Sequence, residues 1–280
     1  MGESRSNSSI SDLRCGKDVL YLPYETTSMA QLGSSGMVLA EVAGPDSVAA
    51  AIETLRWGSV DSVIPTAVYV PSEYGDERVV ERNTTFLRRV AMEKFGKKVL
   101  DLVWIGSPSL WSVLNGAYIA RLINQFSYYS PCPGCHLYAH AVRIPLAISI
   151  GCDRIVSGER ESHDGTVKLN QTSVALDIYT HLLNEFGISL MQPLRGIGNL
   201  EQAMASGLLP KETKSAVGLG QLQCVFRGNY ILSDGKTIPN PGLVERFFAE
   251  FAVPLIRQVV KSWLEGTRID YNSVAHQLLG

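Results

Sequence analysis

Hydrophobic positions along the chain alternate between short apolar runs and longer stretches of helical period. Residues 37–42, Met-Val-Leu-Ala-Glu-Val, form one such run, which predicts a buried strand because near-continuous apolar stretches of this length are typical of parallel sheets. A Gly-Pro-Asp turn at 44–46 follows, and residues 47–57 have the period of a helix. The ordered part of the chain therefore begins with a predicted strand, tight turn and helix.

The same alternation continues as far as residue 195. Further strands are predicted at 62–70, 98–105, 153–157 and 189–193, and further helices at 76–95, 110–126, 136–150 and 172–186, the 136–150 helix with a kink at Pro145. Strands that alternate with helices predict a parallel sheet, because each parallel pair needs a crossover connection. The fold class is therefore α/β, a doubly wound, Rossmann-like sheet of about five mainly parallel strands.

The two ends of the chain differ from this central part. The first dozen residues are polar and rich in Ser, which predicts a flexible arm over 1–16. Helices are predicted at 199–207 and at 241–266, the latter interrupted at Pro254, with irregular structure over 224–240. We therefore expect an arm at 1–16, an α/β domain at 17–230 and a helical extension at 231–280.

Composition limits the classes of function. The chain has 280 residues, 45% hydrophobic and 19% charged, and 25 Lys and Arg against 27 Asp and Glu give a net charge of −2. No overall positive field attracts nucleic acid or anionic lipid. The longest apolar runs, such as 144–150, are far below the roughly 20 residues that a membrane span needs, and the polar N-terminus does not resemble a secretory signal. Five cysteines are too few for a disulfide scaffold, so we expect a cytoplasmic protein that does not enter membranes.

The turn after the first strand is the first candidate site. Gly44, Asp46 and Ser47 lie where a strand passes directly into a helix. Backbone N–H groups and the helix dipole attract anions at such a position, and small residues let a phosphate approach the main chain. A plain N-cap stays open as the alternative, since Asp and Ser are favoured at helix starts whatever the function.

This turn resembles the phosphate-binding loop of the PP-loop ATP pyrophosphatases, whose pattern after the first strand is Ser-Gly-Gly-x-Asp-Ser. Gly44, Asp46 and Ser47 match the pattern, whereas Val42 replaces its Ser and Ala43 its first Gly. The resemblance implies a PP-loop domain over 17–230 that binds ATP and Mg²⁺, with Gly44, Asp46 and Ser47 at the phosphates and Asp46 required for catalysis.

A second motif resembles the tRNA-thiolating branch of that superfamily. The order is a Cys-x-x-Cys pair at Cys132 and Cys135, a helix, a strand, a Gly-led loop that starts Gly158-Glu159-Arg160, and a later cysteine, Cys224. The resemblance implies that Gly158, Glu159 and Arg160 contact the nucleotide. It also implies that Cys132, Cys135 and Cys224 hold a [4Fe–4S] cluster with one open iron, with Cys132 and Cys135 at the reacting centre.

The residues themselves leave the metal open. Thiolates are the ligands of iron–sulfur clusters, and a helix N-terminus lowers the pKa of nearby thiols. A zinc ion bound by the three cysteines and His136 or His140 is an alternative, as are thiols without metal. In the polar loop after the fourth strand, Arg160 and Lys168 are suited to neutralise phosphate charge, whereas His163 and Asp164 are expected in a solvated loop.

These features predict ATP-dependent sulfur transfer. ATP adenylates a carbonyl-type oxygen of the substrate, Mg²⁺ assists departure of pyrophosphate, and sulfide on the open iron, or a persulfide on Cys132 or Cys135, displaces AMP. The substrate is a small molecule, a nucleobase or tRNA, although the chain lacks the basic character expected of an RNA-binding protein. A nitrogen-transferring PP-loop ligase and a degenerate nucleotide-binding subunit stay open, as does a homodimer.

Overall fold

A parallel sheet forms the centre of the protein. The computed structural model describes residues 6–22, 36–205, 207, 219–226, 230–231 and 241–280. Its strands are β1 (Met37–Glu41), β2 (Ser62–Val68), β3 (Glu73–Tyr74), β4 (Lys98–Val99), β5 (Val103–Ile105), β6 (Arg154–Val156), β7 (Val167–Lys168), β8 (Ser189–Met191), β9 (Gln223–Cys224) and β10 (Tyr230–Ile231). The main sheet has the order β4-β2-β1-β6-β8, and β5 also pairs with β2. Every pairing in it is parallel.

This topology confirms the predicted doubly wound α/β fold. β4 and β5 both pair with the same side of the sheet at β2, so the strand predicted at 98–105 is one edge strand with an interruption at 100–102. Two short antiparallel ladders, β3 with β9 and β7 with β10, lie outside the main sheet. They connect segments that are distant in sequence.

Helices cover both faces of the sheet. They are α1 (Ser6–Arg14), α2 (Pro45–Leu55), α3 (Arg78–Val90), α4 (Pro108–Asn115), α5 (Ile119–Phe126), α6 (Pro131–Ala141), α7 (Ile144–Ser149), α8 (Ser173–Asn184), α9 (Leu200–Ala205), α10 (Pro241–Phe247), α11 (Val253–Leu264) and α12 (Tyr271–Leu279). A π-helical turn over Phe248–Ala252 joins α10 to α11 directly before Pro254, where an interruption was predicted. Among the helices described, none has both the length and the apolar character needed to cross a bilayer.

The side chains of β1 alternate between two layers of the core, one on each face of the sheet. Met37 and Leu39 pack into the cluster on one face, with the C-terminal helices, while Val38 and Ala40 pack into the cluster on the other, with α2 and α3. Alternate side chains of a strand point to opposite faces, and all four are almost completely buried. β1 is therefore a central strand covered on both faces, which explains its near-continuous apolar sequence.

The prediction of a flexible arm at 1–16 is wrong for the residues that the structure describes there. Ser6–Arg14 form α1, and Leu13 is only 1% exposed. Val19 then exchanges two backbone hydrogen bonds with Gly106, each 2.8 Å long. Because Ile10 and Leu13 are three residues apart, they share one helix face, and this short apolar stripe is the signal that the Ser-rich composition obscured.

Local predictions around the cysteine pair also need correction. Residues 131–135, predicted as a loop, form the first turn of α6, and the Ser130 hydroxyl accepts a hydrogen bond from the Cys132 amide. The first residues of a helix need no intrahelical N–H partner, so Pro131 and Pro133 are tolerated there. The predicted helix 136–150 is two helices, with Pro145 in the first turn of α7. Of the predicted irregular segment 224–240, residues 227–229 and 232–240 lie outside the described residues.

Candidate active site

A cavity of about 330 Å³ lies at the carboxyl ends of β1, β2 and β6. The strand order of the sheet reverses between β1 and β6, and open parallel sheets bind ligands at such a point. The volume is within the range of small-molecule sites. Predicted site residues that line it are Gly44, Asp46, Ser47, Cys132, Cys135, Gly158, Glu159 and Cys224. Arg160 joins the site through an ion pair with Asp46.

The turn that follows β1 presents the N-terminus of α2 to this cavity. Gly44 is the N-cap residue, and Pro45 occupies the first helical position. The Ser47 hydroxyl donates to the Gly44 carbonyl over 2.8 Å and accepts from the Gly44 amide over 2.9 Å. Ser47 therefore takes part in capping the helix, as the N-cap alternative predicted. Gly44, Asp46 and Ser47 nevertheless line the cavity at the start of an 11-residue helix, so capping does not exclude anion binding.

The end of β6 is pressed against this turn. A Cβ on Gly158 would come within 2.3 Å of the Ser47 amide nitrogen and 2.5 Å of the Asp46 carbonyl carbon. Both contacts are to backbone, so they could be relieved only by a shift of the main chain. Glycine at 158 thus allows two crossing segments, the turn and the exit from β6, to meet.

The carboxylate of Glu159 is the centre of a buried hydrogen-bond cluster. Glu159 is 3% exposed, and its Oε1 accepts from His136 Nδ1 at 2.8 Å and from His140 Nε2 at 3.2 Å. Gln171 donates to its Oε2. Burial alone would raise the pKa of Glu159, but the two histidines outweigh it and hold that pKa well below its usual range. Glu159 is therefore an ionised acceptor.

A chain of hydrogen bonds connects this cluster to the phosphate-type turn. Arg160 Nη2 lies 3.2 Å from Asp46 Oδ1 and donates to His163 Nδ1 at 2.8 Å. An imidazole that accepts at Nδ1 carries its proton on Nε2, and His163 Nε2 donates to Gln171 Oε1 at 2.6 Å. Burial, followed by the charges of Lys168 and Arg160, lowers the pKa of His163 and favours this neutral form.

His163 was expected in a solvated loop, and that expectation is wrong. Its side chain is 13% exposed and lies between Arg160 and Gln171. The chain forms a tight bend at Asp164, which has a φ of 53°, and Gly165, and across this bend His163 forms an antiparallel bridge with Thr166. The pattern of charges alone does not reveal such a bend, although the Asp164-Gly165 dipeptide is typical of a turn.

The three candidate cysteines line the same cavity from two elements. Cys132 and Cys135 are on the first turn of α6, and Cys224 is on β9. Trp111 Nε1 donates to Cys135 Sγ over 3.3 Å, and Cys224 Sγ lies 3.6 Å from Ser72 Oγ. Burial raises the pKa of Cys135 far above the usual thiol range, so this sulfur is a protonated thiol.

The donor set does not fit a metal centre. Within the described ranges, His, Cys, Asp and Glu side chains form no group of three or more that could hold a metal ion. The two histidines weighed as zinc ligands, His136 and His140, are bonded to Glu159 instead. A cluster or a zinc ion requires ligands that converge on one point, and within the described ranges these side chains do not. We therefore derive no chemical step from a [4Fe–4S] cluster or from zinc.

Sequence reasoning missed two further carboxylates at the cavity and a buried guanidinium beside one of them. Glu41 and Glu73 both line it, and burial, followed by the charge of Glu41, raises the pKa of Glu73 to about 7. Arg143 is fully buried, donates to Thr66 Oγ1 at 2.9 Å and lies 3.7 Å from Glu41 Oε1. Glu41 was visible as the single charge in an apolar strand, but no local pattern indicated that Arg143, the N-cap residue of α7, would lie beside it.

Comparison with known proteins places the chain in a family without assigning an activity. No family model matches it. The uncharacterized protein MJ0009 of Methanocaldococcus jannaschii is 31% identical over 264 residues, which cover 92% of this chain and 93% of the archaeal protein. The chain belongs to the family of MJ0009. Among solved structures, NMN synthetase from Francisella tularensis aligns over 91% of this chain and 92% of its own at 12% identity, with a TM-score of 0.28. A TM-score this low indicates nothing about the function of this chain.

Proposed function

We propose that the protein is a PP-loop-type enzyme that uses ATP to adenylate an oxygen of its substrate and then replaces that oxygen with sulfur. The observation that carries the proposal is the meeting of the Gly44–Ser47 turn, Gly158 and the thiols of Cys132 and Cys135 in one cavity. A helix N-terminus suits the triphosphate, and the nearby thiols suit a sulfur carrier.

The residues beside the turn fit a magnesium nucleotide. Mg²⁺ in phosphoryl-transfer sites takes one or two carboxylates together with substrate phosphates, and Asp46 and Glu41 both line the cavity next to the turn. Bound Mg²⁺ would neutralise the phosphates and make pyrophosphate a better leaving group. Arg160, 8% exposed and paired with Asp46, would keep that carboxylate in place.

The proposed sulfur transfer uses thiols alone. The substrate oxygen attacks the α-phosphorus of ATP and releases pyrophosphate, which leaves AMP bonded to the substrate. The terminal sulfur of a persulfide on Cys132, loaded by an external persulfide donor, then forms a bond to carbon and displaces AMP. The Cys135 sulfur next attacks the Cys132 sulfur and its proton passes to the departing sulfur, so that the thiocarbonyl product leaves and a Cys132–Cys135 disulfide remains. A cellular thiol must reduce this disulfide before the next turnover.

The proposed substrate is a small molecule or a nucleobase with an amide-type carbonyl, with tRNA as the less favoured form. A net charge of −2 offers no general attraction to an RNA backbone. A cavity of about 330 Å³ also suits a compact group.

Calorimetry and product analysis test the proposal in order. We expect the wild-type protein to bind ATP with Mg²⁺, to release pyrophosphate when nucleobases or tRNA are supplied, and to raise the product mass by 16 Da when a persulfide donor is present. Absence of ATP binding by wild-type protein contradicts the whole proposal. Binding without pyrophosphate release under any of these conditions would instead support a non-catalytic nucleotide-binding subunit.

A further inference from the structure

An eight-residue stretch, 219–226, passes across one side of the cavity beside the phosphate-type turn. We call it the cover segment. The members of it that line the cavity are Gln221, Leu222, Gln223, Cys224 and Phe226. Its second half is fixed to β3 through β9 and through a hydrogen bond of 3.0 Å from the Val225 amide to the Ser72 carbonyl. It therefore faces the nucleotide region at one end and carries a thiol at the other.

One buried side chain fixes the start of the cover segment to the sheet. Asn83 on α3 is fully buried, and its Nδ2 donates to the Val42 carbonyl at 3.3 Å and to the Gly220 carbonyl at 3.0 Å. A Cβ on Gly220 would come within 2.6 Å of Val79 Cγ2, so this point also packs tightly on α3. Because Val42 directly follows β1, the same amide group holds both the strand end and the cover segment.

Gln221 lies directly on the N-cap residue of α2. A Cβ on Gly44 would come within 2.6 Å of Gln221 Oε1 and 3.0 Å of Gln221 Cβ. The Gln221 carboxamide is therefore within contact distance of the first residue of the turn, on the cavity side. A carboxamide offers two N–H donors without charge, and hydrogen bonds from such donors to an ionised acceptor are stronger than those to a neutral one.

We propose that Gln221 is a phosphate-binding residue that donates an N–H to a nucleotide phosphate held at the Gly44–Ser47 turn. The proposal rests on the proposed function for the identity of the nucleotide. Gln221 would thus add a phosphate contact from the cover segment, which is far from Ser47 in the sequence. The same segment presents Cys224, so one short stretch touches both the nucleotide and the thiol side of the cavity.

A set of substitutions at Gln221 separates hydrogen bonding from packing. Gln221→Met keeps the length of the side chain over Gly44 and removes both donors, whereas Gln221→Glu keeps the shape and adds a negative charge. Gln202→Ala is the matched control, because Gln202 is exposed on α9 and does not line the cavity. Affinity is measured by calorimetry for MgATP and, separately, for inorganic pyrophosphate, and thermal denaturation monitors folding.

The expected result is about tenfold weaker binding of both ligands to Gln221→Met, the size of one charge-assisted hydrogen bond. Gln221→Glu should bind more weakly still, because a carboxylate repels phosphate, and Gln202→Ala should match wild type. Wild-type affinity in Gln221→Met, or equal affinity in Gln221→Glu and Gln221→Met, overturns the role of Gln221 while the proposed function stands. If wild type binds pyrophosphate and not ATP, the proposed function fails and the Gln221 comparison is still decided on pyrophosphate. If wild type binds neither, both fail.

Discussion

Gly158 contacts the backbone at Ser47 so closely that a methyl group on Gly158 would overlap the Ser47 amide nitrogen at 2.3 Å. Ser47 lies in the first turn of α2, after β1, and Gly158 follows β6. The two strands are parallel neighbours, paired at Leu39 with Ile155 and at Ala40 with Val156. The register thus brings the exit of one strand onto the turn of the other. A requirement for glycine here arises from contact and not from backbone angle, since Gly158 has no positive φ.

Gly158→Ala should distort the turn and weaken ATP binding to below detection. The added methyl meets main-chain atoms of Asp46 and Ser47, and overpacking of this kind costs about 1–3 kcal/mol of stability. Calorimetry and urea denaturation measure the two effects. Gly196→Ala is the control, because a Cβ there meets no atom within 4 Å. Unchanged ATP affinity in Gly158→Ala would show that the turn does not hold the nucleotide.

Asp46→Ala should abolish ATP-dependent release of pyrophosphate. The substitution removes a carboxylate next to the proposed phosphates and leaves the largely buried guanidinium of Arg160 without its ion-pair partner. We expect a loss of stability of about 1–3 kcal/mol, which a urea titration measures. Asp153→Ala serves for comparison, since the Asp153 side chain is 79% exposed and an exposed pair contributes little. Pyrophosphate release by Asp46→Ala at the wild-type rate would remove Asp46 from the reaction.

Glu159→Gln should change how stability depends on pH. A carboxylate whose pKa is lowered on folding stabilises the protein above its unfolded pKa, about 4.3, and this contribution is lost as the pH falls through the folded value. The free energy of unfolding from urea titration should therefore be about 1–3 kcal/mol higher for wild type than for Glu159→Gln at pH 6. This difference should shrink below about pH 4.

Histidine titration gives a second measurement on Glu159→Gln. Burial opposes the charged form of His136, but the neighbouring Glu159 outweighs it and raises the His136 pKa. Loss of the carboxylate should therefore lower the pKa of His136 in an NMR titration. Glu161→Gln is the control, because the Glu161 side chain is 40% exposed and pairs with Arg195 instead. An unchanged His136 pKa in Glu159→Gln would show that the two side chains do not interact in solution.

Cys132→Ser should stop sulfur incorporation without affecting ATP affinity. The serine hydroxyl cannot form a persulfide, whereas the turn that we propose binds phosphate is on a different element. Mass spectrometry of the product and calorimetry with MgATP measure the two properties. Cys15→Ser is the matched control, since Cys15 is exposed and does not line the cavity. A 16 Da gain in product made by Cys132→Ser would assign the sulfur carrier to another group.

The periodicity of the sequence predicted the sheet well because most of its strands, β1, β2, β5 and β6, are buried on both faces and so have a strong apolar signal. It failed where an element is short and amphipathic. For α1, Ile10 and Leu13 are buried within a polar segment, so composition outweighed the pattern. For 131–135, two prolines indicated a loop, although proline is favoured in the first turn of a helix.

The site was predicted in part because strand ends in a parallel sheet converge by topology. Gly44 and Gly158 each follow a predicted strand, so both were expected at the carboxyl edge of the sheet. Gln171 and Gln221 could not, because neither belongs to a motif and each reaches the cavity through the path of a loop. The replacement at Val42 has a structural reason as well. Its side chain is fully buried in the core cluster of α2 and α3, where a serine hydroxyl would lose its hydration.

The backbone pairing of Val19 with Gly106 continues the sheet beyond β5, which is an edge strand paired with β2. Leu13 of α1 packs beside the same glycine, since a Cβ on Gly106 would lie 3.2 Å from Leu13 Cδ2. Residues 6–19 thus shield an open row of strand amides and carbonyls, of the kind through which proteins associate edge to edge. Trimming the N-terminal region as if it were a dispensable tail would uncover this row and promote self-association, so purification tags are better placed at the other end of the chain.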